Sequence, residues 1–419
     1  MGKSEQILKI IHYLCSNKKM ESMKKALFTI VFSMLSITNI VAQQKIPDTH
    51  LTSNVVAARR TEITLPKVNG YTCYKADFHT HTIFSDGDLT PRQRIREAWH
   101  DGLDILCLSD HLEYRRQEQG MLNALAPYNA DGKPYTYYPA NIDYVNSNRT
   151  MGVMCNFDAI YDEAKAFVEG EGLPLMLVKG IELSREPFKL GHFSALFVKD
   201  ISSLYNRDIK QALRNVHAQG GLVIHNHPAY RRTTSDKSKE QAELYNEGLI
   251  DGVEIVNDMT FYPKMIRRAI EEDLIMIGAS DIHRPTAETY GFRGHFRTMT
   301  FIWAKECTEK AIREALEKRR TIAYSGDQLM GEEGLLSDFF NAAIECQVLR
   351  KDKSKHSLQL RLHNTSSITF HIAHNGAIYE VEPFKSVNLT YKGATPRFTI
   401  ENMWHIDYQH PTIAVEIDK

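Results

Sequence analysis

The chain has 419 residues, with 51 Lys and Arg against 52 Asp and Glu and a formal net charge of −1. That length disfavours one compact core and makes two folded units the better expectation. The balanced charge supplies no global attraction to nucleic acid or to an anionic membrane, leaving only local basic patches open.

The first 43 residues read as an N-terminal extension and signal peptide. Lys24 and Lys25 precede an apolar stretch over 26–37, and Val41-Ala42-Gln43 offers a small-residue cleavage zone. The stretch is short for a membrane span. Export to the periplasm or beyond is therefore expected, with no membrane span after cleavage; Met23 is an alternative start. Cleavage removes Cys15. Cys73, Cys107, Cys155, Cys307 and Cys346 remain, an odd number without zinc-knot or disulfide spacing, so all five are expected to be structural thiols.

From 44 to 330, short apolar runs alternate with helix-like segments. The runs are 73–78, 104–109, 175–181, 192–198, 221–224, 275–280 and 299–303; the helical segments are 91–101, 158–169, 208–219 and 263–272. Thr90-Pro91 reads as an N-cap followed by proline at the first helical position, and Gly102 as a stop. Continuous short apolar runs suit strands buried on both faces, as in a parallel sheet. Their alternation with helices favours a barrel or a doubly wound sheet. In a barrel, residues after the strand C-termini converge on one face.

Two regions break the pattern. The segment 111–158 has no strong period and carries Tyr135, Tyr137 and Tyr138 between two prolines, which suits either a pocket wall or aromatics packed on a rim. After 331 the residues alternate apolar and polar, and Asn375-Gly376 signals a hairpin, so 331–419 is expected to be a small antiparallel, β-sandwich-like domain. Its six histidines show no metal-like constellation.

Polar residues cluster at the ends of the apolar runs. In chain order they are His79 and His81 with Asp86, Asp110-His111, Glu182, His225 and His227, and Asp281 with His283; His192 opens a run instead of closing one. Imidazole and carboxylate without thiolate form a ligand set for zinc, manganese or iron. A single buried histidine more often fills a core, but that explanation would have to be repeated at every strand end. A hydroxide bridging two such ions would be a nucleophile near neutral pH, with no covalent serine needed. Gly-x-Ser-x-Gly and the phosphate-cradling G-x-x-x-x-G-K-[ST] motif are both absent.

Taken in order, HTHTIFSDG, LSDH, GIE, GHF, HNHP and SDIH resemble the PHP family of polymerase and histidinol phosphatase domains, from about Tyr71 to Gly326. The resemblance implies a distorted (β/α)7 TIM-like barrel holding two to three divalent ions. It implies that His79, His81, Glu182 and Asp281 hold one ion. Glu182 would be shared with a second ion on His192 and His227, and Asp86, His111 and His283 would hold a third. Asp86 stands where some phosphatases of the family carry another histidine, which is similar to the phosphodiesterase-like branch.

Arg115, Arg116, Arg284 and Arg297 lie near these motifs as candidate phosphate donors or as surface ion-pair residues. His225 could approach the ions, act as an acid toward a leaving oxygen, or pack. It shares a strand end with His227, and alternate strand residues point to one face. The expected activity is metal-dependent phosphodiester hydrolysis on a small-molecule or sugar-linked phosphoester. The alternatives are a phosphomonoesterase acting on sugar phosphates or phosphotyrosine, and a non-catalytic binding protein. A nuclease is not favoured by the charge.

Overall fold

The computed structural model describes residues 59–113, 156–185, 190–291 and 294–417. The expected leader, the tyrosine-rich insertion with Tyr135, Tyr137 and Tyr138, and Arg115, Arg116 and Cys155 lie outside the described residues.

The described elements begin with β1 (Thr72–Asp77), α1 (Pro91–His100), β2 (Ile105–Cys107), α2 (Phe157–Glu171), β3 (Met176–Val178), β4 (Gly180–Arg185) and β5 (Gly191–Leu196). They continue with α3 (Ile209–Ala218), β6 (Leu222–Asn226), α4 (Lys239–Asn246), β7 (Gly252–Asn257), β8 (Thr260–Phe261), α5 (Lys264–Glu271), β9 (Ile275–Ala279) and α6 (Thr286–Thr289). Then come β10 (Met299–Ala304), α7 (Glu309–Glu317), β11 (Thr321–Ser325), β12 (Gln328–Gly331) and α8 (Glu333–Ala343). The remaining strands are β13 (Ile344–Asp352), β14 (Ser357–Asn364), β15 (Phe370–His374), β16 (Ala377–Val381), β17 (Ser386–Lys392), β18 (Arg397–Ile400), β19 (Met403–Trp404) and β20 (Thr412–Ala414).

The result is a mixed α/β fold, and among the described residues no single sheet closes. One sheet runs β19-β12-β11-β10-β1-β2-β3; a second runs β4-β5-β6-β7-β8, with β9 also paired to β7. The parallel pairing that the apolar runs suggest holds only in part. Strands β1, β2 and β3 are parallel, as are β6, β7 and β9, whereas β4 to β5, β5 to β6, β1 to β10 and β10 to β11 are antiparallel. The run expected over 175–181 is in fact two strands, and Glu182 lies inside the second. Gly180 marks the transfer between sheets: a Cβ there would meet the Ala195 carbonyl at 2.5 Å and Cys107 Sγ at 2.7 Å.

The two sheets meet at the end that carries the polar motifs. Asp281 N donates to His79 O at 2.9 Å and His81 N to Ile282 O at 3.1 Å; Glu182 N donates to Asp110 O at 3.0 Å and Leu112 N to Glu182 O at 2.8 Å. These short backbone links, not long ladders, bring distant motifs together. Beneath them Ala76, Phe78, Ile105, Val178, Ile224 and Ile277 form a dry interior, where burial of apolar surface is the main stabilising term.

Helix α1 starts as expected. Thr90 and Gln93 form a reciprocal capping box ahead of Pro91. Helices α4, α7 and α8 have no counterpart among the expected segments. Helix α4 buries only Gln241 and Leu244, which leaves little apolar period to read.

The C-terminal strands form two antiparallel sheets, β13-β14-β17 and β16-β15-β18-β20. Asn375 and Gly376 both have positive φ, 51° and 77°, and turn β15 into β16. The apolar faces of these sheets share one core with α8 and the first sheet, through residues such as Phe339, Phe340, Phe370, Phe398 and Trp303. Strand β19 then pairs in parallel with β12. Cys73, Cys107 and Cys346 are buried and Cys307 is partly buried, and none of the four is in a disulfide. No helix among the described residues is long and apolar enough to cross a membrane.

Candidate metal centre

The fold brings all nine expected ligand residues into one cluster. Four overlapping groups have ligand atoms within 4.8 Å of one another: His81-Asp86-His111-His283, His79-His81-Asp281, His79-Glu182-His227 and His111-Glu182-His192. Glu182 stands at the centre, with no exposed surface. Its Oε1 lies 3.5, 3.3 and 3.4 Å from His79 Nε2, His192 Nδ1 and His227 Nε2, while Oε2 faces His81 and His111. Asp86 Oδ1 faces His283 Nε2 at 3.1 Å and His111 Nε2 at 3.5 Å. Asp281 Oδ1 sits 3.2 Å from His79 Nε2 and 2.9 Å from His81 Nε2.

This donor set fits divalent cations. Nε2 of His79, Nε2 of His81 and Oδ1 of Asp86 are buried without a properly directed hydrogen bond, although opposite partners lie close. Buried polar atoms are nearly always hydrogen-bonded, so convergent lone pairs of this kind suit ligation. The nitrogen and oxygen donors match zinc, manganese or iron.

A supporting layer holds the ligands. Glu254, a fully buried acid on β7 that the sequence motifs did not single out, accepts from His79 Nδ1 at 2.7 Å and from the His227 amide at 2.6 Å. It thereby turns His79 Nε2 toward the cluster. Asn226 Nδ2 donates to Glu182 Oε1 and to Ser194 Oγ, each at 2.9 Å. Asp110 accepts from the Thr82 amide and from the hydroxyls of Thr82 and Ser85, which fixes the loop between His81 and Asp86. Gly87 is required by close approach, because a Cβ there would lie 2.7 Å from the His81 carbonyl.

Charge is strongly coupled within the cluster. Burial opposes charge on His79, yet Asp281, Glu182 and Glu254 hold its pKa well above the usual imidazole value. Burial likewise opposes charge on His111, but Glu182 and Asp86 raise its pKa well above that value. Burial alone would raise Glu182 and Asp281, but the surrounding histidines hold both well below the usual carboxylate range. His81 goes the other way, down to about 3, through burial and the neighbouring His283 and His111. A divalent ion bound here would take over the countercharge, so binding would release protons.

The three residues expected to act catalytically occupy different places. His225 is buried and faces outward from β6, its Nδ1 sharing a 2.8 Å hydrogen bond with Tyr245 OH and its ring lying against Phe193. The side chain between them, Asn226, is the one that faces Glu182. The expectation that His225 and His227 share a face fails because His227 leaves the strand, with φ 26°. Arg297 is buried behind the cluster. Its Nη2 contacts Asp77 Oδ2 at 2.6 Å and Ser280 Oγ at 2.9 Å, and its Nη1 contacts Asp101 at 3.3 Å. That guanidinium is committed to structure and acts through Asp77, which accepts from the His79 amide. The Arg284 side chain is 70% exposed and lies 3.9 Å from Glu288. The C-terminal histidines belong to none of the candidate metal groups among the described residues.

No family model matches the chain. Over 252 residues the chain is 25% identical to a 5′-3′ exoribonuclease of Haemophilus influenzae, a match covering 50% of this chain and 90% of that protein. A solved two-domain protein from Bacteroides vulgatus, containing a predicted PHP-like metal-dependent phosphoesterase, aligns at 31% identity and TM-score 0.70. That alignment covers 86% of this chain and 99% of the other. With the motifs gathered into one buried cluster and this likeness spanning nearly the whole of the solved structure, the chain belongs to the PHP-like metal-dependent phosphoesterases.

Proposed function

We propose that the protein is a phosphodiesterase using two to three divalent ions, with zinc, manganese and iron as the candidate species. The carrying observation is the position of Glu182, whose two carboxylate oxygens face different sets of histidines. In this reading Glu182 is shared, His79, His81 and Asp281 complete one site, His192 and His227 a second, and Asp86, His111 and His283 a third. When bound, such ions supply an activated water and neutralise charge on the phosphoryl oxygens. The protein's part is to hold these ligands in fixed orientation, through Glu254 on His79, Asn226 on Glu182 and Ser184 on His111.

The diester preference is supported by the relative named for exoribonuclease activity, since the bonds in RNA are phosphodiesters. The same likeness favours a second reading, in which the substrate is an RNA end and not a small or sugar-linked diester. A phosphomonoesterase remains the alternative within the same chemistry. In this reading residues 44–330 carry the reaction on a distorted barrel, 1–43 direct export, and 331–419 form a supporting β domain.

The test is metal add-back on bis-p-nitrophenyl phosphate, p-nitrophenyl phosphate and a short 5′-labelled RNA, alongside elemental analysis. The expected result is two to three ions per chain, loss of activity on chelation, and faster turnover of diester than of monoester. One equivalent or less in fully active protein would refute that ion count, and faster monoester turnover the diester preference.

A further inference from the structure

Beside the ligand cluster, His192 and His227 open onto a narrow polar recess whose other walls include Gly191, His225, Tyr230, Arg232 and Gln241. Arg232 is held there only by neutral acceptors. Its Nη1 donates to Gln241 Oε1 at 2.8 Å and its Nη2 to the Asp236 carbonyl at 2.6 Å, and no carboxylate among the described residues forms an ion pair with it. Arg268, on the same side, donates to the Ser235 carbonyl at 2.9 Å and lies over the Tyr245 ring. Its buried Nη1 has no hydrogen-bond partner. The Arg232 guanidinium, with neutral acceptors only, thus stands in a recess beside a cluster whose own carboxylates already face histidines.

The floor of the recess is kept clear by a glycine. Gly191 has φ +94°, and a Cβ at that position would come within 2.9 Å of Phe193, 3.1 Å of His225 Nε2 and 3.2 Å of Gln241 Nε2. Both the backbone conformation and the space therefore call for glycine. Because Tyr245 occupies His225 Nδ1, the Nε2 edge is the one presented to the recess.

We infer that this recess is a subsite for an oxyanion on the second ester arm of the substrate, a phosphate or a carboxylate engaged by Arg232 while the scissile phosphate lies on the ligand cluster. The inference rests on the hydrolase reading of that cluster. A guanidinium presents planar paired donors suited to such groups, and a pre-placed, uncompensated cation favours an anionic arm over a neutral one. The walls of the recess are mostly polar, with one guanidinium among them, so the subsite would select by charge.

The experiment compares three diesters with the same leaving group: 4-nitrophenyl ethyl phosphate and its analogues whose ethyl group ends in a phosphate or a carboxylate. The wild-type, metal-loaded protein is expected to favour an anionic arm by roughly tenfold in kcat/KM, mostly through KM. Arg232→Gln should bring that ratio close to one, and Arg232→Lys should keep part of it and covers the case in which the glutamine variant does not fold. The ranking of the phosphate and carboxylate arms identifies which oxyanion the subsite takes. Binding of pyrophosphate and of inorganic phosphate, measured by calorimetry on the same proteins, reads the subsite without turnover. Wild type should prefer pyrophosphate, and Arg232→Gln should lose the preference. If no diester is turned over yet the pyrophosphate preference depends on Arg232, the subsite stands and the hydrolase reading falls. Equal kcat/KM for all three diesters in wild type, or a preference that survives in Arg232→Gln, overturns the subsite.

Discussion

Replacing Glu254 by glutamine probes how the ligand shell is held, because the change keeps the shape and removes only charge and one acceptor. The carboxylate receives three donors: His79 Nδ1 on Oε1 at 2.7 Å, and the His227 amide and Asn257 Nδ2 on Oε2 at 2.6 and 2.9 Å. Glutamine has one oxygen and one NH2 group, so in either orientation the NH2 faces a donor. Either His79 loses its acceptor or His227 and Asn257 do, and no solvent reaches the site to compensate. A hydrogen bond to a charged group contributes about 1.5–3 kcal/mol, and outer partners of metal ligands typically change affinity by roughly 10–100-fold. Competition against a chromophoric chelator should therefore show zinc or manganese affinity falling by about that factor. Turnover of bis-p-nitrophenyl phosphate should recover substantially as metal is raised. Metal affinity in Glu254→Gln within about twofold of wild type would refute the idea that this carboxylate orients His79.

Three further outcomes follow from the same geometry. Glu182→Gln should lose metal and rate together, by more than the roughly 100-fold that an outer partner can account for; near-normal turnover at full occupancy would show that Glu182 is not shared. Arg297→Ala should destabilise the protein by about 3–5 kcal/mol, because it leaves Asp77 buried without its cation, and a denaturant midpoint unchanged from wild type would contradict that. In metal-free protein the raised pKa values of His79 and His111 contribute stability that is complete below about pH 6.5 and is lost as pH climbs through their folded values. The depressed Glu182 and Asp281 contribute above about pH 4.5 and lose that contribution as pH falls. Metal-free stability should thus peak in mild acid and decline as pH rises above neutrality, whereas metal affinity should rise in that direction; urea melts at both ends, with and without metal, check the sign.

Much of this site could be read from residue order alone, since polar residues closing apolar runs mark strand ends. Such ends gather wherever strands share a direction. The pairing between runs could not be read in this way. Strand β5 is continuously buried and antiparallel to both its neighbours, and a run apolar on both faces carries no mark of direction. Glu254 was a missed signal of a different kind. It is the single acid in the fully buried strand GVEIVN, and a carboxylate in that setting requires a partner. The misjudged orientation of His225 came from extending strand alternation across His227.

That break in alternation accounts for how so many ligands reach one point. Within a regular strand, successive side chains point to opposite faces, so a ladder alone could not turn the adjacent Asn226 and His227 both toward Glu182, and β9 ends at Ala279, before Asp281 is reached. The chain departs from the ladder at these places. His227 and Asp281 both adopt left-handed backbone, with φ 26° and 51°, a conformation that costs roughly 1–2 kcal/mol for a residue other than glycine. Each is held there by neighbouring hydrogen bonds: Glu254 accepts from the His227 amide, and His79 O from the Asp281 amide. The first ties His227 to the acid that also holds His79, and the second ties Asp281 to His79 itself. The strained backbone at one ligand is therefore stabilised by the residues that present another, which ties the geometry of the cluster to the meeting of the two sheets.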